Sequence, residues 1–254
     1  MSGSEDPSIP RTDPDLIFAD PCLAEIYDDL DGDRDDLDFY ETIIAELGAS
    51  SLLDIGCGTG ALACRLAQRG FHVTGLDPAA ASLDVARSKP GAQSVSWLLG
   101  SAQNAPRLGV DVVVMTGNVA QVFLSDDSWA AALTAANDAL DVNGRLVFET
   151  RDPAFRGWEE WTRERSLTVK QTRSGAVESW VELTSVDPSL VAFRWTFHFL
   201  DTAAVIESNS TLRFRTLDEL DSSLSRAGFV IDEVRDAPDR PSREFIVIAS
   251  PSQH

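Results

Sequence analysis

The stretch from Ser51 to Pro78, SLLDIGCGTGALACRLAQRGFHVTGLDP, restricts the fold more than any other part of this 254-residue chain. A short apolar run, SLLDI, leads into three glycines at alternate positions, Gly56, Gly58 and Gly60. Glycine recurs in this way where a backbone must turn sharply or come very close to another group. The next segment, ALACRLAQR, carries apolar residues at helical spacing and stops at Gly70, a residue type that ends helices in the left-handed conformation. HVTGLD then reads as a second strand. Strand, tight turn, helix and strand form a crossover, crossovers are right-handed, and the two strands come out parallel.

The alternation continues with a helix in AAASLDVARSK, strands in SVSWLLG and VDVVVMT, a helix in DSWAAALTAANDAL and, beyond an Asn143-Gly144 turn, a strand in GRLVFET. An α/β fold with one doubly wound sheet follows. After Thr150 the period changes. LTVKQTR, VESWVELTSV, LVAFRWTFHFL and AVIESNSTLRFR alternate apolar and polar residues and are joined by short turns, which predicts an antiparallel β insertion after the fifth strand, within residues 151–215. Helical spacing returns in LDELDSSLSRAGF, followed by strands in VIDEVRD and REFIVIAS. Ahead of the first strand, Leu23, Ile26, Tyr27 and Leu30, then Phe39, Tyr40, Ile43, Ile44 and Leu47, mark two helices separated by the acidic turn DGDRDD. Residues 1–14 lack apolar periodicity and are expected to be a disordered tail, which leaves residues 15–250 as a single domain.

The formal charge is −20, and residues 1–46 hold 15 Asp and Glu against two Arg. A field of that sign repels a phosphate backbone, so nucleic acid is not an expected partner, and the acidity is expected to be a solvated face. No apolar run approaches the roughly 20 residues of a membrane-spanning helix. The N-terminus has no basic start followed by an apolar stretch, so no membrane partner is expected and the chain is expected to be cytoplasmic. Cys22, Cys57 and Cys64 form no CxxC pair and read as small side chains rather than a disulfide framework or a metal site. Lysine occurs only at Lys89 and Lys170.

The run Asp54-Ile-Gly56-Cys-Gly58-Thr-Gly60 lies between a strand and a helix N-terminus, where free N–H groups and close backbone approach suit an adenosine-type ligand. A dinucleotide site would have GxGxxG spacing, whereas an S-adenosylmethionine site has an acid two residues before the first glycine and GxGxG spacing. The chain has the second, with Asp77 at the end of the next strand, where a carboxylate can accept ribose hydroxyls. On these residues it resembles the class I S-adenosylmethionine-dependent methyltransferases. DFYETIIAELGASSLLDIGCGTG and DALDVNGRLVFETRDP are similar to small-molecule methyltransferases of the ubiquinone/menaquinone type and related bacterial subgroups.

The resemblance implies a Rossmann-like seven-stranded sheet of order 3-2-1-4-5-7-6, S-adenosyl-L-methionine as cofactor, and methyl transfer to a small-molecule acceptor beneath a lid made by the insertion. It implies that Asp54, Gly56, Cys57, Gly58 and Gly60 hold the methionine end, that Tyr27 lies in helices covering it, and that Asp77 with the adjoining Pro78 holds the ribose. Gly117 and Asn118, at the end of the fourth strand, are expected to face the cofactor. Where the family usually has an acid near the adenine amino group, this chain has Gly100-Ser101-Ala102-Gln103, so Ser101, Ala102 or Gln103 is left to make that contact. A noncatalytic module that binds the cofactor or its product is the alternative.

Methyl transfer from a sulfonium starts from an activated electrophile, so the protein aligns the acceptor and excludes water, and a dedicated base is optional. Candidates to meet the acceptor are Arg151, Trp158, Trp161, Trp180, Arg194, Trp195, His198, Arg213 and Arg215. In AFRWTFHFL, alternation separates Phe193, Trp195, Phe197 and Phe199 from Arg194, Thr196 and His198. His198, of a residue type that titrates near neutrality, is a candidate general base. Arg151, following the fifth strand, is a candidate clamp for an anionic acceptor.

Overall fold

The computed structural model of the protein describes residues 13–32, 34 and 36–252, and all but the end of the expected disordered tail lies outside them. Three helices precede the first strand: α1 (Leu16–Ala19), α2 (Pro21–Asp31) and α3 (Asp36–Glu46). Asp20 starts α2 by accepting hydrogen bonds from the N–H groups of Cys22 (2.8 Å) and Leu23 (3.1 Å), and Pro21 occupies the first helical position, where its missing N–H costs nothing. The α/β alternation then runs β1 (Ser51–Ile55), α4 (Ala61–Gln68), β2 (His72–Asp77), α5 (Ala80–Ser88), β3 (Val95–Leu99), β4 (Val110–Met115), α6 (Asp126–Ala139) and β5 (Leu140–Arg151). A short helix, α7 (Arg163–Ser166), leads into β6 (Thr168–Thr172), β7 (Gly175–Asp187), β8 (Leu190–Phe199) and β9 (Ala204–Arg213). The chain closes with α8 (Leu217–Arg226), β10 (Phe229–Asp236) and β11 (Glu244–Pro251).

Seven strands form one sheet in the order β10-β11-β5-β4-β1-β2-β3. With β11 and β10 as its seventh and sixth strands, this is the expected order. The five strands from β3 to β5 are parallel, and β11 runs antiparallel to both β5 and β10. The chain leaves β1 towards β2 and returns on the other side as β4, so the connections diverge at the C-terminal ends of β1 and β4 and open a crevice there. Both faces are covered. Leu53, Met115, Phe148, Trp129 and Leu133 build one core, and Leu52, Val114, Val147, Ile43 and Ile44 build the other.

The insertion is a four-stranded antiparallel meander, β6-β7-β8-β9. The period-two pattern is realised as read: Val177, Phe197 and Phe199 pack on Leu23 and Ile26 of α2, while Val181, Val191 and Phe193 pack with Trp158 and Phe214. One boundary differs. β5 starts at Leu140, before the Asn143-Gly144 pair, because Leu140 is buried and already pairs with Val110; the ladder then jumps to Val112 opposite Arg145, leaving residues 141–144 as an irregularity within the strand.

Candidate functional site

The glycine loop sits at the crevice and is bonded back onto β2. The N–H groups of Gly56 and Cys57 donate to the carbonyl of Leu76 at 2.8 and 3.2 Å, and the N–H of Gly58 donates to Oδ2 of Asp77 at 2.8 Å. Two of the glycines are needed for different reasons. A Cβ on Gly56 would fall 2.4 Å from Cγ2 of Val119, so that residue is small because the post-β4 segment packs on it. Gly58 has φ +53°, and a Cβ there would meet no atom within 4 Å, so the chain's own packing places no limit on its size. Its backbone faces open space in a conformation that side chains disfavour.

Two carboxylates flank this loop. Asp54, one residue from the end of β1, is 1% exposed, and its Oδ1 has no hydrogen-bond partner among the described residues. Burial, then the charge of Asp77, pushes its pKa up to about 7, with Arg34 acting the other way. A buried acid held at that pKa is stabilised as an anion only when a cation arrives beside it. Asp77 ends β2 and is held rigidly, since its Oδ1 accepts the Ala79 N–H at 2.8 Å while Oδ2 takes that of Gly58. Burial raises its pKa in spite of these bonds. Each oxygen still has a lone pair to offer a hydroxyl. Cys57 is buried within the loop, and burial followed by the charges of Asp54 and Asp77 pushes its thiol up, which suits a small filler and not a nucleophile.

The remaining expected residues gather around these. Gly100 donates to the carbonyl of Asp77 at 3.0 Å, which sets Ser101, Ala102 and Gln103 beside that carboxylate; the Ser101 hydroxyl donates to Asn104 Oδ1 at 2.7 Å, Ala102 is buried, and Gln103 is exposed. Pro78 is exposed next to Asp77. Asn118 takes a left-handed φ of 63° and donates its N–H to Glu149 Oε1 at 2.8 Å, and its own Oδ1 is buried without a partner among the described residues. Gly117, beside it, is exposed. Tyr27 on α2 lies against Phe18 at 5.6 Å between ring centres, and burial followed by Asp31 raises its hydroxyl to about 12, so it remains a donor.

The acceptor candidates divide. Arg151 lies at the C-terminal edge of β5, donating to Gln121 Oε1 from Nη1 at 3.2 Å, close to Glu244, and set over the ring of Trp161. His198 does not join it. Its Nδ1 lies 3.6 Å from Glu178 Oε2, on the face of the insertion sheet opposite Phe197 and Phe199, which pack on α2. Arg194 shares that outer face with Glu207 and Asn209, and Trp180 lies there beneath Arg163. Arg213 and Arg215 instead hold the post-β4 segment by its carbonyls, Arg213 at Leu124 (3.1 Å) and Arg215 at Phe123 (2.7 Å). Trp158 and Trp161 pack beside Phe214 and Phe193, and Trp195 is partly buried against Phe197.

Residues 52–144, which hold both carboxylates and the loop, match the family described as "Methyltransferase domain". Over 164 residues the chain is 29% identical to an uncharacterized methyltransferase of Oceanobacillus iheyensis, covering 61% of this chain and 74% of that protein. A solved S-adenosylmethionine-dependent methyltransferase from Clostridium acetobutylicum has the same fold, with a TM-score of 0.72 at 15% identity over 88% of this chain and 94% of that one. Residues 52–144 are thus a methyltransferase domain, and the whole chain has the fold of the S-adenosylmethionine-dependent methyltransferases. The sugar N-methyltransferase KedS8 from Streptoalloteichus sp. is also similar in fold, with a TM-score of 0.70 at 16% identity over 87% of this chain and 88% of that one. The chain spans only 20% of the length of a Geobacillus sp. (strain WCH70) protein named as a methyltransferase, with 53% identity over 49 residues.

S-adenosyl-L-methionine is the family's cofactor, and the residues present fit it. Its ammonium matches the unpartnered Asp54 Oδ1, its ribose diol matches the lone pairs left on Asp77, and open space adjoins Gly58. Sequence reasoning missed three residues that lie beside the candidate site. Leu99 is 61% exposed and lies opposite Asp77 in register, signalled only by its place at the end of the third strand. Glu149 and Glu244 are buried carboxylates at the edge of the sheet, and nothing in the local pattern of FET or REF marks them as such.

Proposed function

We propose that this methyltransferase transfers the methyl group of S-adenosyl-L-methionine to a small-molecule acceptor that carries an anionic group. The observation that carries the reading is the pair Asp54 and Asp77 on either side of a left-handed glycine loop, one carboxylate lacking a partner and the other fixed by two N–H groups. Asp54 binds the ammonium, Asp77 the ribose hydroxyls, and Pro78 and Leu99 offer apolar surface for the purine beside the Ser101–Gln103 turn. When bound, the cofactor supplies a methyl group on a good leaving sulfur. The chain's own residues bind, orient and keep water away.

In this reading residues 151–215 form a lid. The α2 helix lies between that lid and the glycine loop, packing Leu23 and Ile26 on the insertion sheet and tying Asp28 to Thr59 at 2.6 Å. The acceptor enters between the two, with Arg151 as the charge that holds it. A small-molecule acceptor is in keeping with the Streptoalloteichus neighbour, a sugar N-methyltransferase by its description. His198 receives no catalytic role, because its ring lies across the sheet from the packed face. The test is turnover: the full chain is incubated with S-adenosylmethionine and a panel of small carboxylates and amines, and S-adenosylhomocysteine is measured. Product above the acceptor-free background is expected, whereas tight cofactor binding with no turnover across the panel would favour a binding module.

A further inference from the structure

At the C-terminal edge of the sheet, two guanidiniums converge on one oxygen. Arg151 Nε lies 3.4 Å and Arg240 Nη1 lies 2.6 Å from Oε1 of Glu244, which is 3% exposed and pairs with Arg151 in the register of β5 and β11. Glu244 is thus shared between two permanent cations, of which Arg240 is half-exposed and also meets Asp239, 3.5 Å from its Nε, while Arg151 is the more enclosed. The nearby Glu149 accepts the Tyr40 hydroxyl and the Asn118 N–H and so is turned to those donors. Burial is the first cause of a lowered pKa for Arg151, as for a cation whose environment compensates it incompletely.

The guanidinium of Arg151 is also aimed. Nη1 is held by Gln121, itself wholly buried, and the plane lies over Trp161 with 5.8 Å between the guanidinium carbon and the ring centre. Nη2 has no hydrogen-bond partner among the described residues. Neither has the hydroxyl of Tyr27, which stands in the fields of both Arg34 and Arg151. A planar fork with a free N–H edge and a neutral O–H donor beside it match a planar carboxylate, which takes two parallel bonds from a guanidinium.

We infer that Arg151 and Tyr27, with Arg240 as the second charge, form a subsite for a carboxylate carried by the acceptor. The inference rests on the function proposed above and names its substrate class. A phosphate dianion fits less well, since Glu149 and Glu244 share the region and would repel the second charge. The segment APDRPSREF, between the last two strands, then has a role. It brings Arg240 back over the edge of the sheet, where the Asp152 N–H donates to the Arg243 carbonyl at 2.8 Å and pins the segment to the end of β5.

Trp161 provides the readout, because an anion at Arg151 changes what lies over its ring. The full chain, saturated with S-adenosylhomocysteine, is titrated with benzoate, benzamide and phenyl phosphate while the Trp161 indole N–H resonance is followed. Benzoate should shift it saturably, benzamide should not, and phenyl phosphate should bind more weakly than benzoate. Arg151→Met should weaken benzoate about tenfold or more, on the scale of one hydrogen bond to a charged group, while S-adenosylhomocysteine affinity stays within a few-fold. Tyr27→Phe and Arg240→Gln, smaller changes that test the subsite if the Met variant fails to fold, should each weaken benzoate, and Arg151→Lys should rescue only in part. Equal shifts with benzamide, no shift with benzoate, or an equal loss of S-adenosylhomocysteine in Arg151→Met would overturn the subsite, the last by making the carboxylate the cofactor's own. Failure of the wild-type chain to bind S-adenosylhomocysteine would instead sink the methyltransferase reading beneath it.

Discussion

Asp54 shows how one buried side chain ties stability to function. Its pKa is 3.8 unfolded and about 7 folded. Between those values the folded chain holds a proton that the unfolded chain has lost, so stability falls as pH rises from about 4 to 7 and stays low above. At most about 4 kcal/mol is at stake, taking 1.36 kcal/mol per unit. Asp54→Asn should therefore flatten this part of the pH–stability curve and be the more stable form at pH 8 in the absence of cofactor, as read by denaturant unfolding. Since an ammonium beside it restores the anion, wild-type binding of S-adenosylhomocysteine near pH 6 should release protons, seen as a dependence of the calorimetric enthalpy on buffer ionisation; the Asn variant should release fewer. Gly58 makes a separate case. Gly58→Val puts a branched side chain at φ +53° in space that no protein atom occupies, so thermal unfolding should stay cooperative while cofactor binding is lost. Normal binding by the valine variant would show that the loop is not the cradle. These residues were legible because their signals are local, an acid and three glycines between a strand and a helix. Glu149 and Glu244 were not, since only the pairing of β5 with β11 and the approach of α3 bury them.

Among the elements, α2 carries the coupling between the insertion and the glycine loop. The chain's two lysines both end on it. Lys89 reaches Asp28 from the sheet side at 2.5 Å and the Thr59 hydroxyl at 3.1 Å, while Lys170 donates to the Leu30 carbonyl from the insertion side at 2.5 Å, beside the Arg173–Asp29 pair. The apolar face of α2 belongs to the insertion, through Leu23 and Ile26, and its tie to the glycine loop is the polar Asp28 to Thr59 contact. Lys89→Met should loosen that tie and speed dissociation of S-adenosylhomocysteine in stopped flow, by about fivefold for a partly exposed ion pair worth up to about 1 kcal/mol. Raising the salt concentration should do the same to the wild type and little to the variant. An unchanged rate in both would remove the latch. The helical spacing of α2 and the period-two strands were readable, since periodicity is a property of neighbours in sequence. Which face of β8 meets α2 was not, and so His198 stood as a candidate until the sheet was seen to turn it outward.

For the molecule as a whole, the order of strands is the feature least available to local reasoning. Period and turn residues predict strands and a crossover, but the place of β11 between β5 and β10 is a long-range pairing, and it was anticipated through resemblance to a family and not from propensity. That order sets the β1 and β4 ends at the crevice and brings Arg151, Glu244 and Arg240 together from segments far apart in sequence. The strong negative charge of residues 1–46 is largely worn on the helices over the site, where Asp28, Asp29 and Asp36 are tied to Lys89, Arg173 and Arg34. The central claim is that Asp77 and the glycine loop hold an S-adenosyl ligand. Calorimetric titration of the wild type and Asp77→Ala with S-adenosylhomocysteine tests it most directly. One site per chain is predicted in the wild type, with affinity lower by about 1.5–3 kcal/mol in the folded alanine variant, for lost hydrogen bonds to a charged group. A wild type that does not bind, or a folded Asp77→Ala that binds equally well, would contradict it.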